Sequence, residues 1–320
     1  MSGIFEDFSE IEDLAEELNN PSAGARIVAV IDLADSADVA AIPYLAQAIS
    51  DEDAGVRLQA AVALTDFDGP ETAAALVTAL QDTDEKVRLA AAVSLTELKD
   101  PEAGAPLLLC LDSDDPFVAL SALKGLTELR RPDALGPAIK ALQNPAAEVR
   151  IAAVRVIGWL QDEGTLPALM SAANDPDPLV RRTAVAACGF SSSEHAENTL
   201  IASLDDGDWQ VREAAAETLA KSGSVKAERD LMAALDDEFW QVRLKAVRSL
   251  GKLGIPSAAP KIGPMMSMPI PNLRKECAAV LGELADPASI VFLEEFRDDA
   301  DPDVRKNVRW ALDKISKIAV

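Results

Sequence analysis

Apolar and polar positions recur along this chain with a period of 31 residues. The stretch DWQVREAAAETL, residues 208–219, is followed 31 residues later by FWQVRLKAVRSL, residues 239–250. Steps of 31 in both directions from the pair Val211-Arg212 give ten copies in strict register, with no insertion or deletion. A fixed period of this length is typical of a solenoid, in which each repeat packs only on its neighbours.

Two apolar patterns within each copy predict two helices. In the seventh copy a small residue, Ala215, lies four residues after Val211, and a larger one, Leu219, lies eight residues after it. Spacings of four and eight place these side chains on one helical face. After a short polar break that often contains Pro or Gly, a second set follows at steps of three and four. The sequence therefore predicts an all-α fold: an α-α superhelix, or solenoid, of about ten 31-residue helix pairs.

The two ends of the chain match single helices rather than pairs. Ile11, Leu14 and Leu18 have the spacing of a second helix, and residues 304–315 match only a first helix. Such half-units are typical of the ends of repeat arrays. We expect an N-terminal capping helix in residues 1–19 and a single solenoid domain in residues 20–320.

Charged residues occupy fixed positions in the repeat. An Arg follows the Val in nine of the ten copies, and it could reach an Asp or a backbone carbonyl of the adjoining copy. We interpret these arginines as structural, because they recur so regularly. A second set of residues precedes the first helices, where a carboxylate can cap free N–H groups: Asp51, Asp82, Asp175, Asp206, Asp237 and Asp299.

The consensus DxDxxVRxxAAxxLxxL…AxxxLxxAL resembles the HEAT repeat, in the short form named after phycobilin lyases, over residues 20–320. The resemblance implies second helices that line a concave face. The repeat serves many unrelated tasks, and our preferred function is a non-catalytic scaffold or adaptor that binds another protein along the curved surface. The alternative is a phycobilin lyase or chromophore-handling chaperone of the E/F type, with a bilin as its chromophore. Deoxyhypusine hydroxylases share the repeat but need paired His-Glu motifs, which this sequence lacks.

The charge of the chain narrows the choice of partner. The formal net charge is −24, and residues 1–120 carry 25 acidic and 5 basic side chains. Such a surface repels phosphate backbones, so we expect no nucleic-acid binding. The acidic side chains either attract a partner with a basic surface or only keep the protein in solution. The sequence has no apolar run long enough to span a membrane and no signal-peptide pattern, so we expect a cytoplasmic protein without membrane insertion.

Residues that could carry chemistry are few. Cys110, Cys188 and Cys277 lie far apart, and His195 is the single His, which we place in the break between two helices. These residues form neither a nucleophile–base pattern nor a metal-ligand pattern. We therefore predict no catalytic, metal-binding or cofactor-binding residue, and whether the chain is an enzyme stays open.

Partner-binding candidates come from exposed positions of second helices and from departures from the repeat. Trp209 and Trp240 share one position, where they either pack on the neighbouring turn or form a contact strip. In the eighth copy Pro260 and Pro264 should shorten the second helix, and a methionine cluster either fills gaps or makes adaptable contacts. The candidates are Tyr44, Gln47, Lys140, Trp209, Arg229, Trp240, Lys261, Met265, Met266 and Met268.

Overall fold

The fold is built from helices alone in the part of the chain that the structure describes. A computed structural model describes residues 6–223 and 225–318, and in these ranges the chain forms twenty α-helices, thirteen short 3-10 segments and no β-strand. First and second helices alternate along the chain, which confirms the predicted all-α solenoid of helix pairs. The chain divides into two compact units, Met1–Leu160 and Gln161–Val320. The single domain over residues 20–320 stays a prediction.

The first unit holds five second helices and five first helices. It begins with the predicted N-terminal helix, which ends in a 3-10 turn at Glu17–Asn19. The second helices are α1 (Glu6–Glu16), α3 (Ile42–Ala48), α5 (Pro70–Ala79), α7 (Gly104–Leu109) and α9 (Leu135–Ala141). The first helices are α2 (Ala23–Asp35), α4 (Ala54–Ala63), α6 (Glu85–Ser94), α8 (Pro116–Leu129) and α10 (Ala147–Leu160).

The second unit repeats this arrangement and closes on a first helix. Its second helices are α11 (Leu166–Ala172), α13 (Glu194–Ala202), α15 (Glu228–Ala234), α17 (Ala259–Ile262) and α19 (Ile290–Glu294). Its first helices are α12 (Pro178–Ala187), α14 (Trp209–Ser222), α16 (Trp240–Lys252), α18 (Pro271–Leu284) and α20 (Pro302–Ile318).

The repeating apolar positions form the core of each unit. At steps of four along α4 and the residue after it, Val56, Ala60 and Leu64 are fully buried, and so are Leu76 of α5 and Leu80 directly after α5. Because the middle position is small, adjacent first helices can approach closely. Neither helix of a pair buries its apolar face alone, so each repeat is stabilised by packing on the next one.

Paired Arg and Asp side chains join consecutive repeats. In at least five repeats of the described ranges, the arginine fork donates two hydrogen bonds to a carboxylate 25 residues later, at 2.6–3.0 Å. The side chains of these pairs are only 4–19% exposed. The inter-repeat Arg–Asp pairs, as we call them, are Arg26–Asp51, Arg57–Asp82, Arg181–Asp206, Arg212–Asp237 and Arg274–Asp299.

Each of these arginines also holds the loop that precedes its own helix. The remaining nitrogen of Arg57, Nη1, donates to the carbonyl of Asp51 at 2.9 Å, and Nη1 of Arg212 donates to that of Asp206 at 2.8 Å. One guanidinium therefore joins two successive loops, which confirms the structural interpretation of the repeated Arg.

The prediction that the first Asp of each DxD motif caps the helix is wrong. Asp51 accepts from Arg26 and from the backbone N–H of Asp53, which closes a turn. The cap is Asp53, whose carboxylate accepts from the N–H groups of Gly55 and Val56. Both carboxylates fit a cap by sequence, but the arginine of the preceding repeat engages the first one. The same division holds at Asp82 and Asp84, where Asp84 accepts from the N–H of Lys86.

The fourth repeat lacks both members of the pair. Ala119 stands where Arg is expected, and the residue 25 positions later is Asn144 rather than Asp. The Asn144 amide keeps the turn, since its oxygen accepts from the N–H of Ala146 at 2.9 Å. Loss of the cation is thus matched by loss of the anion, and no charge is left unpaired.

The eighth repeat departs most from the pattern. Its second helix, α17, has only four residues and continues as a 3-10 segment, Gly263–Ser267, as the prolines predicted. A Cβ atom at Gly263 would lie 2.2 Å from the ring of Phe292, so glycine is needed for this close packing. The acceptor position for Arg243 is occupied by Met268. Nη1 of Arg243 donates to the carbonyl of Asp237, but its buried Nε has no partner.

The chain itself suggests how to test the inter-repeat pairs. We expect Arg212→Ala to lower the free energy of unfolding by about 1.5–3 kcal/mol, because Asp237 loses two charge-assisted hydrogen bonds. The double variant Arg212→Ala/Asp237→Asn copies Ala119 and Asn144, so it should recover part of this loss. Urea unfolding gives the free energy of unfolding of the wild type, Arg212→Ala, Asp237→Asn and the double variant. A double variant as unstable as the sum of the single variants would contradict this account.

The inter-repeat Arg–Asp pairs should also make the free energy of unfolding depend on pH. Hydrogen bonding from Arg57 holds the pKa of Asp82 below its ordinary value of 3.8. A depressed folded-state pKa stabilises the protein above the unfolded-state pKa, and this stabilisation is lost as pH falls through the folded-state pKa. The difference in unfolding free energy between the wild type and Asp82→Asn should therefore be constant above about pH 5 and shrink below about pH 4. Chemical unfolding across pH checks this, and a difference that grows with acid would refute it.

Candidate functional site

The partner-binding candidates on second helices occupy three positions that recur every 31 residues. Tyr44 in α3 and Lys261 in α17 are equivalent and half-buried. Gln47 in α3 and Lys140 in α9 are equivalent and exposed. Arg229 in α15 occupies the third position and is exposed. The structure thus places these side chains on solvent-facing sides of second helices, and their contact with a partner stays a prediction.

Two of these candidates are engaged within the chain. Nζ of Lys140 lies 2.7 Å from Oδ1 of Asp112, and Nζ of Lys261 lies 2.6 Å from Oδ2 of Asp236. Each Asp lies two or three residues after the end of the preceding second helix, α7 or α15. Lys261 also donates to the carbonyl of Met232 at 2.7 Å. A partner carboxylate would have to compete with these contacts, so both lysines are weaker candidates than the sequence suggested.

In the first unit the exposed side of the second helices carries mainly short side chains. Leu109, which the sequence analysis missed, is 83% exposed and is the largest apolar group on this surface. Three residues after the position of Leu109, each of four repeats has an exposed polar side chain. We call these residues the polar border of the first unit: Ser50, Gln81, Asp112 and Gln143. We define the second-helix surface of the first unit as Pro43, Ala74, Ala105, Gly136, Gln47, Thr78, Leu109 and Lys140.

The second unit has an equivalent surface. Its border is Asn174, Asp205, Asp236 and Ser267, and a shallow pocket of about 310 Å³ lies between α11 and α13. The second-helix surface of the second unit consists of Pro167, Asn198, Arg229, Pro260, Ser171, Ala202, Ala233 and Pro264.

His195 lines this shallow pocket together with Met170 and Asn174. Its predicted position in the break between helices is wrong, since it lies in the first turn of α13 and is exposed. The helix starts earlier than the repeat suggested because the Ser193 side chain caps it, accepting from the N–H of Ala196 at 3.2 Å.

The two tryptophans have different surroundings. Trp209 stacks on Phe239 of the next repeat, with ring centroids 5.3 Å apart and an interplanar angle of 12°. This is the packing role that the sequence offered as one alternative. Trp240 is half-buried and lines a pocket of about 290 Å³ with Glu213, Gln241 and Leu244. Trp209 is half-buried as well, and Trp240, which lines this pocket, stays a contact candidate.

Two of the methionine candidates lie inside the protein. Met265 and Met266 are 5% and 0% exposed, so neither is available to a partner, and their place among the contact candidates is corrected. The shortened α17 leaves space that these flexible side chains fill. Met268 is half-buried at the position where other repeats place the Asp that receives an arginine.

The three cysteines are buried and hard to ionise. Burial raises the pKa of the Cys110 thiol above its ordinary value of 9.0, and it raises the pKa of Cys188 to about 11 and of Cys277 to about 12. Because the thiolate is the reactive form, these positions are poor nucleophiles.

The described ranges, 6–223 and 225–318, contain no group of three or more His, Cys, Asp or Glu side chains that could hold a metal ion. No helix in them has the length and apolar character needed to cross a bilayer.

Stacked helix pairs with a 31-residue period define this chain as a helical-repeat protein of the solenoid class. The model of the HEAT repeats family matches five overlapping segments, residues 11–96, 63–124, 104–187, 166–231 and 228–313. These segments together span most of the chain, so the protein belongs to the HEAT-repeat family. Its assignment to the phycobilin-lyase type of repeat stays a prediction.

Solved structures with low sequence identity share the fold. An engineered protein has 20% identity and a TM-score of 0.54, with 96% of this chain and 99% of that chain covered. YibA from Escherichia coli has 17% identity and a TM-score of 0.54, with 99% of both chains covered. A chain from the structure of Kap95p bound to RanGDP has 14% identity and a TM-score of 0.66, with 96% of this chain and 52% of that chain covered. No curated protein sequence matches this chain significantly.

Thiol titration tests the assignment of the cysteines to the core. With Ellman's reagent at pH 8, we expect native protein to show no fast-reacting thiol and denatured protein to show all three. Leu109→Cys, beside buried Cys110 but at an exposed position, should add one fast-reacting thiol as the positive control. Rapid labelling of Cys188 or Cys277 in the native state would contradict the assignment.

Proposed function

We propose that this protein is a non-catalytic scaffold or adaptor that binds a partner protein along its second-helix surfaces. The observation that carries the proposal is the regular, shallow surface of α3, α5, α7 and α9. Short side chains such as Ala74 and Ala105 let a partner chain approach the helices closely. The bordering Gln81 and Gln143 can each donate and accept hydrogen bonds. A repeated surface of this kind suits an extended contact better than an enclosed small ligand.

Charge supports a basic partner. Residues 1–120 carry 25 acidic and 5 basic side chains, and the four polar-border residues of the first unit include Asp112 but no cation. Complementary charge speeds encounter and strengthens specificity, chiefly at low salt. Kap95p, which binds RanGDP in its structure, is an example of this fold in protein binding, although it identifies no partner for this chain.

The alternative, handling of a bilin chromophore, rests on the type of repeat alone. Visible absorbance of a bilin mixed with the purified protein distinguishes this alternative from the adaptor, since a lyase or chromophore chaperone would change the spectrum of the pigment. A specific spectral change would favour this alternative over the adaptor.

Binding to a partner captured from native cells tests the adaptor. We expect Ala74→Arg/Ala105→Arg in the first unit, or Ala202→Arg/Ala233→Arg in the second, to weaken binding about tenfold or more, because the arginines project into a shallow surface and repel a basic partner. The matched control is Ala186→Arg, on an exposed position of first helix α12.

Salt should weaken the same complex. Raising ionic strength from about 0.05 M to about 0.5 M shortens the Debye length and screens the acidic surface. An affinity that is unchanged by salt would remove the electrostatic part of the proposal. An affinity that is unchanged by all four arginines would remove the second-helix surfaces from it.

A further inference from the structure

First helices of the first unit expose aliphatic side chains at two positions that recur every 31 residues. Among them, Ile31 is 37% exposed, Val62 47%, Leu89 48% and Val93 63%. Consecutive first helices pack on each other, α2 on α4 and α4 on α6, so the side chains form one continuous surface across three helices. We define the aliphatic stripe as the exposed Ile31, Val62, Leu89 and Val93 together with Ile27 and Leu58, which are half-buried.

The fold does not require aliphatic side chains at these positions. The position of Val62 and Val93 is occupied by Lys124 in α8 and Arg155 in α10, within the same unit. In the second unit the equivalent residues of the stripe are mostly charged or small, yet the same helices form. They are Arg182, Glu213, Leu244, Lys275 and Lys306 at the first position, and Ala186, Glu217, Arg248, Ala279 and Trp310 at the second. Exposed apolar surface that the repeat does not need indicates an interaction site.

Carboxylates border the stripe one helical turn further along. Asp35, Asp66 and Glu97 follow Ile31, Val62 and Val93 by four residues, and Glu128 continues the series in α8. All four are exposed, and within residues 6–223 and 225–318 none makes a salt bridge. We call these four residues the acidic border. At the same position the second unit has Phe190, Lys221, Lys252, Glu283 and Lys314, so the border is confined to the first unit.

The spacing of the border matches a helix that lies across the three first helices. Packed helices lie about 8–10 Å apart, so the carboxylates recur at roughly that distance. An α-helix advances about 10.5 Å in seven residues. A helix with a basic side chain at every seventh position therefore meets successive carboxylates, and its apolar face covers the two aliphatic positions beside them.

We propose that α2, α4 and α6 bind a basic amphipathic helix of a partner protein. The aliphatic stripe packs against the apolar face of that helix, and the acidic border pairs with its Lys and Arg side chains. This surface lies on first helices and is separate from the second-helix surfaces of the proposed function. A second copy of this chain is a poor occupant, because two acidic borders and two chains of net charge −24 would repel each other.

A designed peptide tests the proposal directly. The probe is a fluorescein-labelled 21-residue amphipathic peptide with Leu on one face and Lys at every seventh position along its edge, and the matched peptide carries Glu in place of Lys. By fluorescence anisotropy we expect the full-length protein to bind the Lys peptide and not the Glu peptide. Val62→Lys/Val93→Lys should weaken binding about tenfold or more. The repeat already accepts lysine there, as Lys124 shows, and circular dichroism verifies folding.

Two further variants separate charge from apolar contact. Asp35→Asn/Asp66→Asn/Glu97→Gln should weaken binding and remove most of its salt dependence, because the paired charges are gone. Ala186→Lys, at the position equivalent to Val62 in the second unit, should leave peptide binding unchanged.

Several results would overturn the proposal. The first is equal binding of the Lys peptide and the Glu peptide, and the second is peptide binding that Val62→Lys/Val93→Lys leaves unchanged. The third is a wild-type dimer in sedimentation that this double variant dissociates, since a second copy of the chain would then be the occupant. Binding to phosphatidylcholine vesicles that the same variant abolishes would make a lipid surface the occupant. The arginine variants of the second-helix surfaces should leave peptide binding unchanged. Failure of the proposed helix-binding site on α2, α4 and α6 is therefore distinguishable from failure of the adaptor proposal.

Discussion

The bidentate pair between an Arg of one repeat and an Asp 25 residues later is the constraint on which the stack depends. In the pair Arg57–Asp82, one guanidinium donates to the next loop and to the carbonyl of Asp51 in its own loop. These contacts can recur only if the number of residues between the Arg and the Asp stays the same, since an inserted residue would displace the acceptor carboxylate. The strict 31-residue register of the sequence is thus a consequence of geometry as much as of core packing.

Because buried positions and inter-repeat pairs hold the helices together, exposed positions are free to differ between repeats. The exposed positions of the first helices differ between the first and the second unit. Val62 and Val93 in the first unit correspond to Glu217 and Arg248 in the second, although the helices at both places are equivalent. A surface that differs while its framework stays constant is where partner specificity in a repeat protein is to be found.

Most of the fold followed from sequence because the period is strict. The helix pairs and the contact of the repeated arginine with the adjoining repeat depend on local spacing, which recurs from one repeat to the next. The missed features depend on contacts between repeats. Asp51 and Asp53 are equally good caps by sequence, and only the approach of Arg26 decides between them. Likewise, the burial of Met266 depends on the gap that a shortened α17 leaves.

The fourth and eighth repeats depart from the Arg–Asp pattern in different ways, and the pattern itself explains the difference. In the fourth repeat the cation and the anion are both absent, and Asn144 keeps the turn without a charge. In the eighth repeat the anion alone is replaced, by Met268, and Arg243 retains its bond to the carbonyl of Asp237 while its buried Nε lacks an acceptor. A cation kept without its carboxylate is costly. The proline-rich eighth repeat therefore lacks the Arg–Asp coupling to the next loop, and its second helix is also the shortest of the described ones.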